Sequence, residues 1–473
     1  MLTKVMMGAA LVLSSGAQAE GLQSVDNFRY DEHDALPGTM SLPDPAVNGR
    51  PQLGEKNVLV TVTNWQGENT LDKTKIEKHT LSTDVDSLRS YITAASKGKL
   101  TLNGRVVSYT SGPRPQGCKP SGQVNQISLA TAEGLKAAAA NGIDPKSVDY
   151  WINVIDCHGG ASAWMPGNTM GVYGMAGGPH VYKHEFGHNL GYAHGSTYTR
   201  CPRSGDIVNA PTGCSMVGYG DTGDSVSGGG TLYPAFNRWY SGWLDDKQAA
   251  TIKSTGLYRL GVLGGSGPQL YLIERPGDGA RTVNYLSLEY RKPTIFDDFE
   301  ETDNRVNGVW ARFSTIVYYN NFIMNTQLDG TPETATTADP ALLPGKILKD
   351  EPAGITVAVC SASDKEATIA VGVSGESAPS CDVPYLSTPR ESAVTGPAPI
   401  FSGGTALLGS TVVVITAGNP SDVLATTKSD DKGNWSVRSK ELKGGTKWIQ
   451  VGQALNGQPT KWSEPQSFHV RWE

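Results

Sequence analysis

The eleven residues His184-Glu185-Phe186-Gly187-His188-Asn189-Leu190-Gly191-Tyr192-Ala193-His194 satisfy the pattern H-E-x-x-H-x-x-G-x-x-H. With His at 8, Gly at 56 and Glu at no more than 46 of 473 positions, the chance expectation is roughly 3 in 100,000. Coincidence is set aside on that number. His184 and His188, four apart on a helix, lie on one face and can reach a single ion. Gly191 can leave the right-handed region and end the helix, so the chain turns back and presents His194. Three neutral imidazoles suit Zn2+ and leave a fourth position open for water, as catalytic rather than structural sites do. Glu185 stands beside the first ligand, where it can take a proton from a water the ion acidifies toward ~7 and pass it to a leaving amine. Histidines four apart are otherwise ordinary helix-surface residues, and a structural zinc site would recruit a fourth protein ligand and leave Glu185 idle. His180 is a spare ligand candidate better suited to the rim, and His158 beside Cys157 reads as a surface histidine.

The surrounding pattern supplies elements to hold this segment. Asn57 to Thr63 reads as a buried strand, and Val85, Leu88, Tyr91, Ile92 and Ala95 recur at helical spacing after a Ser82-Thr83-Asp84 capping cluster. Leu100 to Val107 returns as a strand, a helix runs from about Ile127 to Ala140, and Tyr150 to Ile155 is apolar throughout. Alternating strands and helices predict a small α/β unit. Residues 159–178 are glycine-rich and loop- or edge-strand-like. After about 248 short alternating runs predict an antiparallel β module, Ser374 to Ser380 reads as a linker, and the stretch from about 382 predicts an immunoglobulin-like sandwich.

The sequence resembles the metzincin zinc endopeptidases, and within them the gametolysin-type family and its bacterial secreted relatives. Beyond the zinc motif the resemblance rests on Ala95 to Gly104, Cys157 to Ala161, Tyr219 to Asp224, Pro234 to Trp239, Gly242-Trp243-Leu244, Leu288 to Arg291 and Gly308-Val309, so it covers roughly 55–375. It implies zinc ligands His184, His188 and His194, the general base Glu185, and a 159–178 edge strand that pairs with an extended substrate. Metzincins place a methionine turn beneath the zinc site. The family's spacing puts that residue near Val226, where this chain has Val226-Ser227. Either Met216 forms the turn with shifted spacing or the turn lacks methionine. The clan's occasional tyrosine ligand stands two residues after the methionine, whereas Tyr219 stands three after Met216.

Composition bounds the rest. A net charge of −6 argues against a partner held by phosphate neutralisation, so no nucleic acid is expected. Lys4, the apolar run Val5 to Leu13 and Ala17-Gln18-Ala19 describe a secretory signal cut after Ala19, and no later segment has the length of a membrane span. Six cysteines allow fifteen pairings, and neighbour pairing (Cys118–Cys157, Cys201–Cys214, Cys360–Cys381) is the one expected. Asp26, Asp31, Glu32 and Asp34 are either a solvated stretch or a carboxylate cap on the metal. Asp297, Asp298, Glu300, Glu301, Asp303 and Asn304 offer oxygen ligands of the type Ca2+ uses but lack the EF-hand spacing. Trp435, Trp448, Trp462 and Trp472 are core residues or sugar-stacking platforms.

The expectation is therefore an α/β (α+β) metzincin, zincin-like catalytic domain (56–248), a β-sandwich module (249–376) and a C-terminal immunoglobulin-like all-β domain (377–473), after a signal peptide (1–19) and an N-terminal arm or short pro-segment (20–55). The expected activity is that of a secreted, monomeric zinc metalloendopeptidase acting on extended polypeptides or glycoproteins, with glycan contact through the C-terminal domain. The alternative is a secreted glycan-binding or adhesive protein in which the same domain supports recognition.

Overall fold

The computed structural model describes residues 35–37, 52–118, 126–174, 176–277, 281–318, 320–406, 409–430, 433–454 and 461–472. The signal peptide and most of the N-terminal arm, including its acidic cluster, lie outside them.

The first layer contains β1 (Ala35–Pro37), β2 (Gly54–Asn64), α1 (Lys73–Thr80), α2 (Leu88–Ala95), β3 (Leu100–Thr110), α3 (Gln126–Ala140), β4 (Tyr150–Ile155), β5 (Ala161–Met165), β6 (Thr169–Val172) and α4 (Pro179–Asn189). Its sheet runs β1-β5-β6-β4-β2-β3. β2 pairs in parallel with β3 and β4, β4 with β6 in parallel, and β5 runs antiparallel to β6. All six residues of β4 are buried, as befits a strand covered on both faces. The helix placed at 84–95 begins at Leu88 instead, because Ser87 takes the cap and its side chain accepts from the Ser90 N–H.

After α4 the described residues are β-structure with two short α-helices. β7 (Ser196–Thr199), β8 (Arg203–Ser204), β9 (Ile207–Asn209) and β10 (Ser215–Val217) precede α5 (Ala235–Tyr240). Then come β11 (Ala249–Thr251), β12 (Gly256–Gly261), β13 (Leu270–Arg275), β14 (Thr282–Tyr290), α6 (Asn304–Asn307), β15 (Val309–Val317), β16 (Phe322–Leu328), β17 (Ile347–Asp350), β18 (Ile355–Ala362) and β19 (Glu366–Gly372). One sheet is ordered β10-β7-β16-β15-β14-β13-β11 and a second β12-β19-β18-β17-β9-β8. Both sheets cross residue 248, since β7 pairs with β16 and β9 with β17. Beyond Tyr385, a three-stranded and a five-stranded sheet enclose a core of Phe401, Val412, Val414, Trp435, Val451 and Phe468.

This architecture corrects the expected fold class. About 40% of the described residues are strand and about 15% helix, spread over five sheets, which does not fit an α/β metzincin catalytic domain leading two β modules. The sequence reading weighted the strand–helix alternation between 57 and 155, which is local; the sheets that dominate the chain are assembled from strands far apart in sequence. The bridges Cys118–Cys157, Cys201–Cys214 and Cys360–Cys381 are formed as neighbour pairing expected. No helix among the described residues is long and apolar enough to cross a membrane. Three disulfides suit an extracellular, oxidising compartment.

Candidate metal centre

α4 starts with Pro179 at its first turn, and Val181 through Asn189 are all buried. Its end is fixed by backbone geometry. Gly191 takes φ +88°, its N–H donates to the His188 carbonyl (2.8 Å), and the Tyr192 N–H donates to the Gly187 carbonyl (3.0 Å). That is a Schellman ending, which needs a residue able to adopt the left-handed region. The chain then pairs with the start of β16: the Ala193 N–H donates to the Ile323 carbonyl and the Ile323 N–H to the Gly191 carbonyl, each at 2.9 Å. Asn189 ties the helix end to the first sheet, donating to the Trp164 and Thr169 carbonyls at 2.9 and 3.1 Å.

These constraints bring His184, His188 and His194 together. Their Nε2 atoms form a triangle with sides of 3.1, 3.2 and 3.0 Å. A tetrahedral ion with bonds of ~2.0–2.1 Å sets its nitrogens roughly 3.3 Å apart, so the triangle closes round one ion with little movement. The outer ring nitrogens fix the tautomers. His184 Nδ1 donates to the Ser225 carbonyl (3.1 Å) and His188 Nδ1 to the Tyr192 carbonyl (2.7 Å), which turns both Nε2 lone pairs inward. Burial, with the neighbouring His188 and His194, holds His184 well below the ordinary histidine pKa, which favours the neutral ligand form. Lone pairs converging at this distance repel one another, and a cation removes the repulsion. The three histidines can hold a metal ion.

Glu185, next along the same helix, is fully buried. His180 lies one turn before His184 with ring centroids 6.0 Å apart, outside the converging set, and burial together with Lys183 pushes its pKa down to about 4. His158 is exposed.

Of the two alternatives for the turn, the one using Met216 does not match the structure. Met216 is 64% exposed and sits on β10, paired with Tyr198 of β7. The residue beneath the helix is Val226: a Cβ built on Gly187 would meet its Cγ2 at 2.4 Å, and the preceding Ser225 supplies the carbonyl that orients His184. The floor of the site is thus a valine, at the position the family spacing indicated. In the acidic run, two of the candidate calcium ligands are engaged elsewhere. Asp297 is buried, accepting from the Leu232 N–H and facing Arg291, and Asp303 caps α6 and pairs with Arg305. Among the described residues only the three histidines form a metal-type cluster. Trp435 is core and its indole N–H donates to the Gly404 carbonyl, whereas Trp448 and Trp472 are more than half exposed.

Sequence reading missed the support behind the floor. Arg312 donates bidentately to Asp221 (2.6 and 3.1 Å) and also to Glu289 (2.5 Å); Arg291 joins Glu289 (2.7 Å) to Asp297. Glu289 also accepts from the Ala235 N–H that opens α5 (2.5 Å). This buried chain bolts the 221–235 loop to β14 and β15. Burial opposes ionisation of Glu289, but Arg291 and Arg312 prevail and lower its pKa to about 2. Burial, then the Asp221 charge, raises Asp224 to about 7. The signal available in the sequence was Glu289 and Arg291 set two apart within an otherwise apolar strand run.

No family model matches the chain, and no curated protein matches it. Among solved structures, CopC from Methylosinus trichosporium OB3b is 11% identical, covering 18% of this chain and 92% of its own at a TM-score of 0.14. The BSP domain of a biofilm-associated protein is 12% identical, covering 43% of this chain and 30% of its own at 0.15. A solved protease is 9% identical, covering 88% of this chain and 97% of its own at 0.14. Scores this low do not define a common fold.

Proposed function

We propose that the protein is a secreted zinc-dependent endopeptidase that hydrolyses peptide bonds in extracellular proteins, glycoproteins among them. The observation carrying this reading is the convergence of three Nε2 atoms, two of them tautomer-fixed by carbonyls, with a buried glutamate adjacent to the first ligand. The motif's resemblance to that of the metzincin endopeptidases supports it. His184, His188 and His194 hold the ion through Nε2. When bound, zinc supplies Lewis-acid polarisation of the scissile carbonyl and offsets the negative charge that develops on its oxygen. A Glu185 carboxylate oxygen takes the proton of the attacking water and delivers it to the leaving amide nitrogen.

β5 is the strand an extended substrate would join, and in the full chain its outer side is already paired in parallel with Ala35–Pro37. Trimming residues 20–51 is therefore expected to raise turnover severalfold with zinc content unchanged; equal turnover would dispose of the blocking role.

The direct test is hydrolysis of casein and of a heavily O-glycosylated protein, with zinc content measured in parallel. Cleavage abolished by a chelator and restored by stoichiometric zinc is expected. Absence of cleavage by zinc-loaded, arm-trimmed protein would sink the peptidase reading and favour adhesion. The exposed Trp448 and Trp472 support that second reading, and their replacement by alanine would then abolish glycan binding.

A further inference from the structure

His184 and His188 are held on a buried helix, each with a carbonyl acceptor behind it. His194 is different: it lies past the helix end and is only half-buried. Residues 219–227 pack against it and against Gly195, which follows it. The Tyr219 ring lies against the His194 ring, with centroids 4.1 Å apart and planes inclined by 37°. Ser227 Oγ accepts the Gly195 N–H (2.5 Å) and donates to the Gly195 carbonyl (2.8 Å), which also takes the Asp221 N–H at 3.4 Å. The approach is close enough that a Cβ on Gly195 would lie 2.8 Å from Asp221 Cβ and 2.9 Å from Ser227 Oγ. Tyr219 itself adopts φ +57°. A bulky aromatic residue in the left-handed region is strained, and such strain persists only where surrounding structure over-determines it. Here the surrounding structure is the 219–227 loop closed on Gly195, and the result of the unusual backbone is a ring laid on the third histidine.

We propose that Tyr219 is the positioning residue for the third metal ligand: its ring face sets the His194 side-chain orientation so that Nε2 meets the other two. The ring contact orients the third histidine as the Ser225 and Tyr192 carbonyls orient the other two. Removal of an outer partner of a metal ligand typically weakens metal binding by about 10–100-fold. The inference rests on the three-histidine site and is independent of the reaction carried out there.

The test uses the full chain loaded with Co2+, with affinity measured by chelator competition and ligand geometry read from the visible d–d absorption. Tyr219→Phe is expected to bind within about twofold of the parent with an unchanged spectrum, while Tyr219→Ala is expected to bind about 10–100-fold more weakly with an altered spectrum. Tyr219→Gly relieves the backbone strain without restoring the ring, so it is expected to melt at a higher temperature than Tyr219→Ala while binding Co2+ as weakly. A Tyr219→Phe protein as impaired as Tyr219→Ala would make the hydroxyl the operative group and overturn the proposal. So would a Tyr219→Ala protein with parental affinity and spectrum. His188→Ala sets the baseline for a broken site; parent protein binding no better than that baseline would overturn the metal reading and this one with it. A parent protein that binds Co2+ and shows the expected series but cleaves no peptide when zinc-loaded would count against the peptidase reading and leave this proposal standing.

Discussion

Glu185→Gln is expected to keep its metal and lose hydrolysis by about 10²–10⁴-fold, the span that a positioned acid–base group contributes. The replacement is nearly isosteric and carries no charge, so the packing of α4 around a fully buried position is preserved. The three imidazoles are untouched, and their orientation comes from Ser225, Tyr192 and the post-helix loop rather than from Glu185. What disappears is an oxygen able to accept and return a proton. The measurement pairs zinc stoichiometry with kcat/KM on one peptide: the first stays near one per chain while the second falls mainly through kcat. Parental turnover would refute the assignment of the base. Metal loss together with activity loss would instead make Glu185 a structural support.

The ligand set was legible in the sequence because it is local. Four-residue spacing on one helix and a glycine at its end fix two ligands and the return of the third with no knowledge of the rest of the chain. Helix α3 and strand β4 were legible for the same reason: within each, periodicity and burial agree. Fold class was not. β7 meets β16 and β9 meets β17 across more than a hundred intervening residues, and short strands carry no mark of their partners. The choice between Met216 and a turn without methionine stayed open because residue type and position pointed to different residues: the floor needs a small apolar side chain under Gly187, which Val226 supplies. Asp221, Glu289, Arg291 and Arg312 were passed over since charged residues are surface residues by default, and only the assembled sheets bring them together.

That charge chain carries the largest expected effect on stability. Arg312 is almost fully buried and links Asp221 to Glu289. Arg312→Met takes the arginine from buried Asp221 and leaves Glu289 with Arg291, and stranding a buried charge in this way costs about 3–5 kcal/mol. Arg312→Lys retains the charge but not the fork that serves two carboxylates, and is expected to fall between Met and the parent. The pH dependence has a definite sign. Glu289 is depressed to about 2, so its contribution is present above the ordinary carboxylate pKa and is lost as pH falls from there toward 2. Without Arg312 the Glu289 pKa rises, and acid unfolding moves to higher pH. Urea unfolding followed by tryptophan fluorescence at pH 7 and at pH 3 tests both statements: the Met variant has a lower midpoint at pH 7, and the gap narrows at pH 3 as the stranded carboxylate becomes protonated. The consequence extends to the metal, because Asp221 also presents its N–H to the carbonyl of Gly195, directly after the third ligand. Arg312→Met is thus expected to release zinc at lower urea concentration than the parent; an unchanged midpoint at pH 7 would show that the chain is neutral in energy, as well-solvated pairs are.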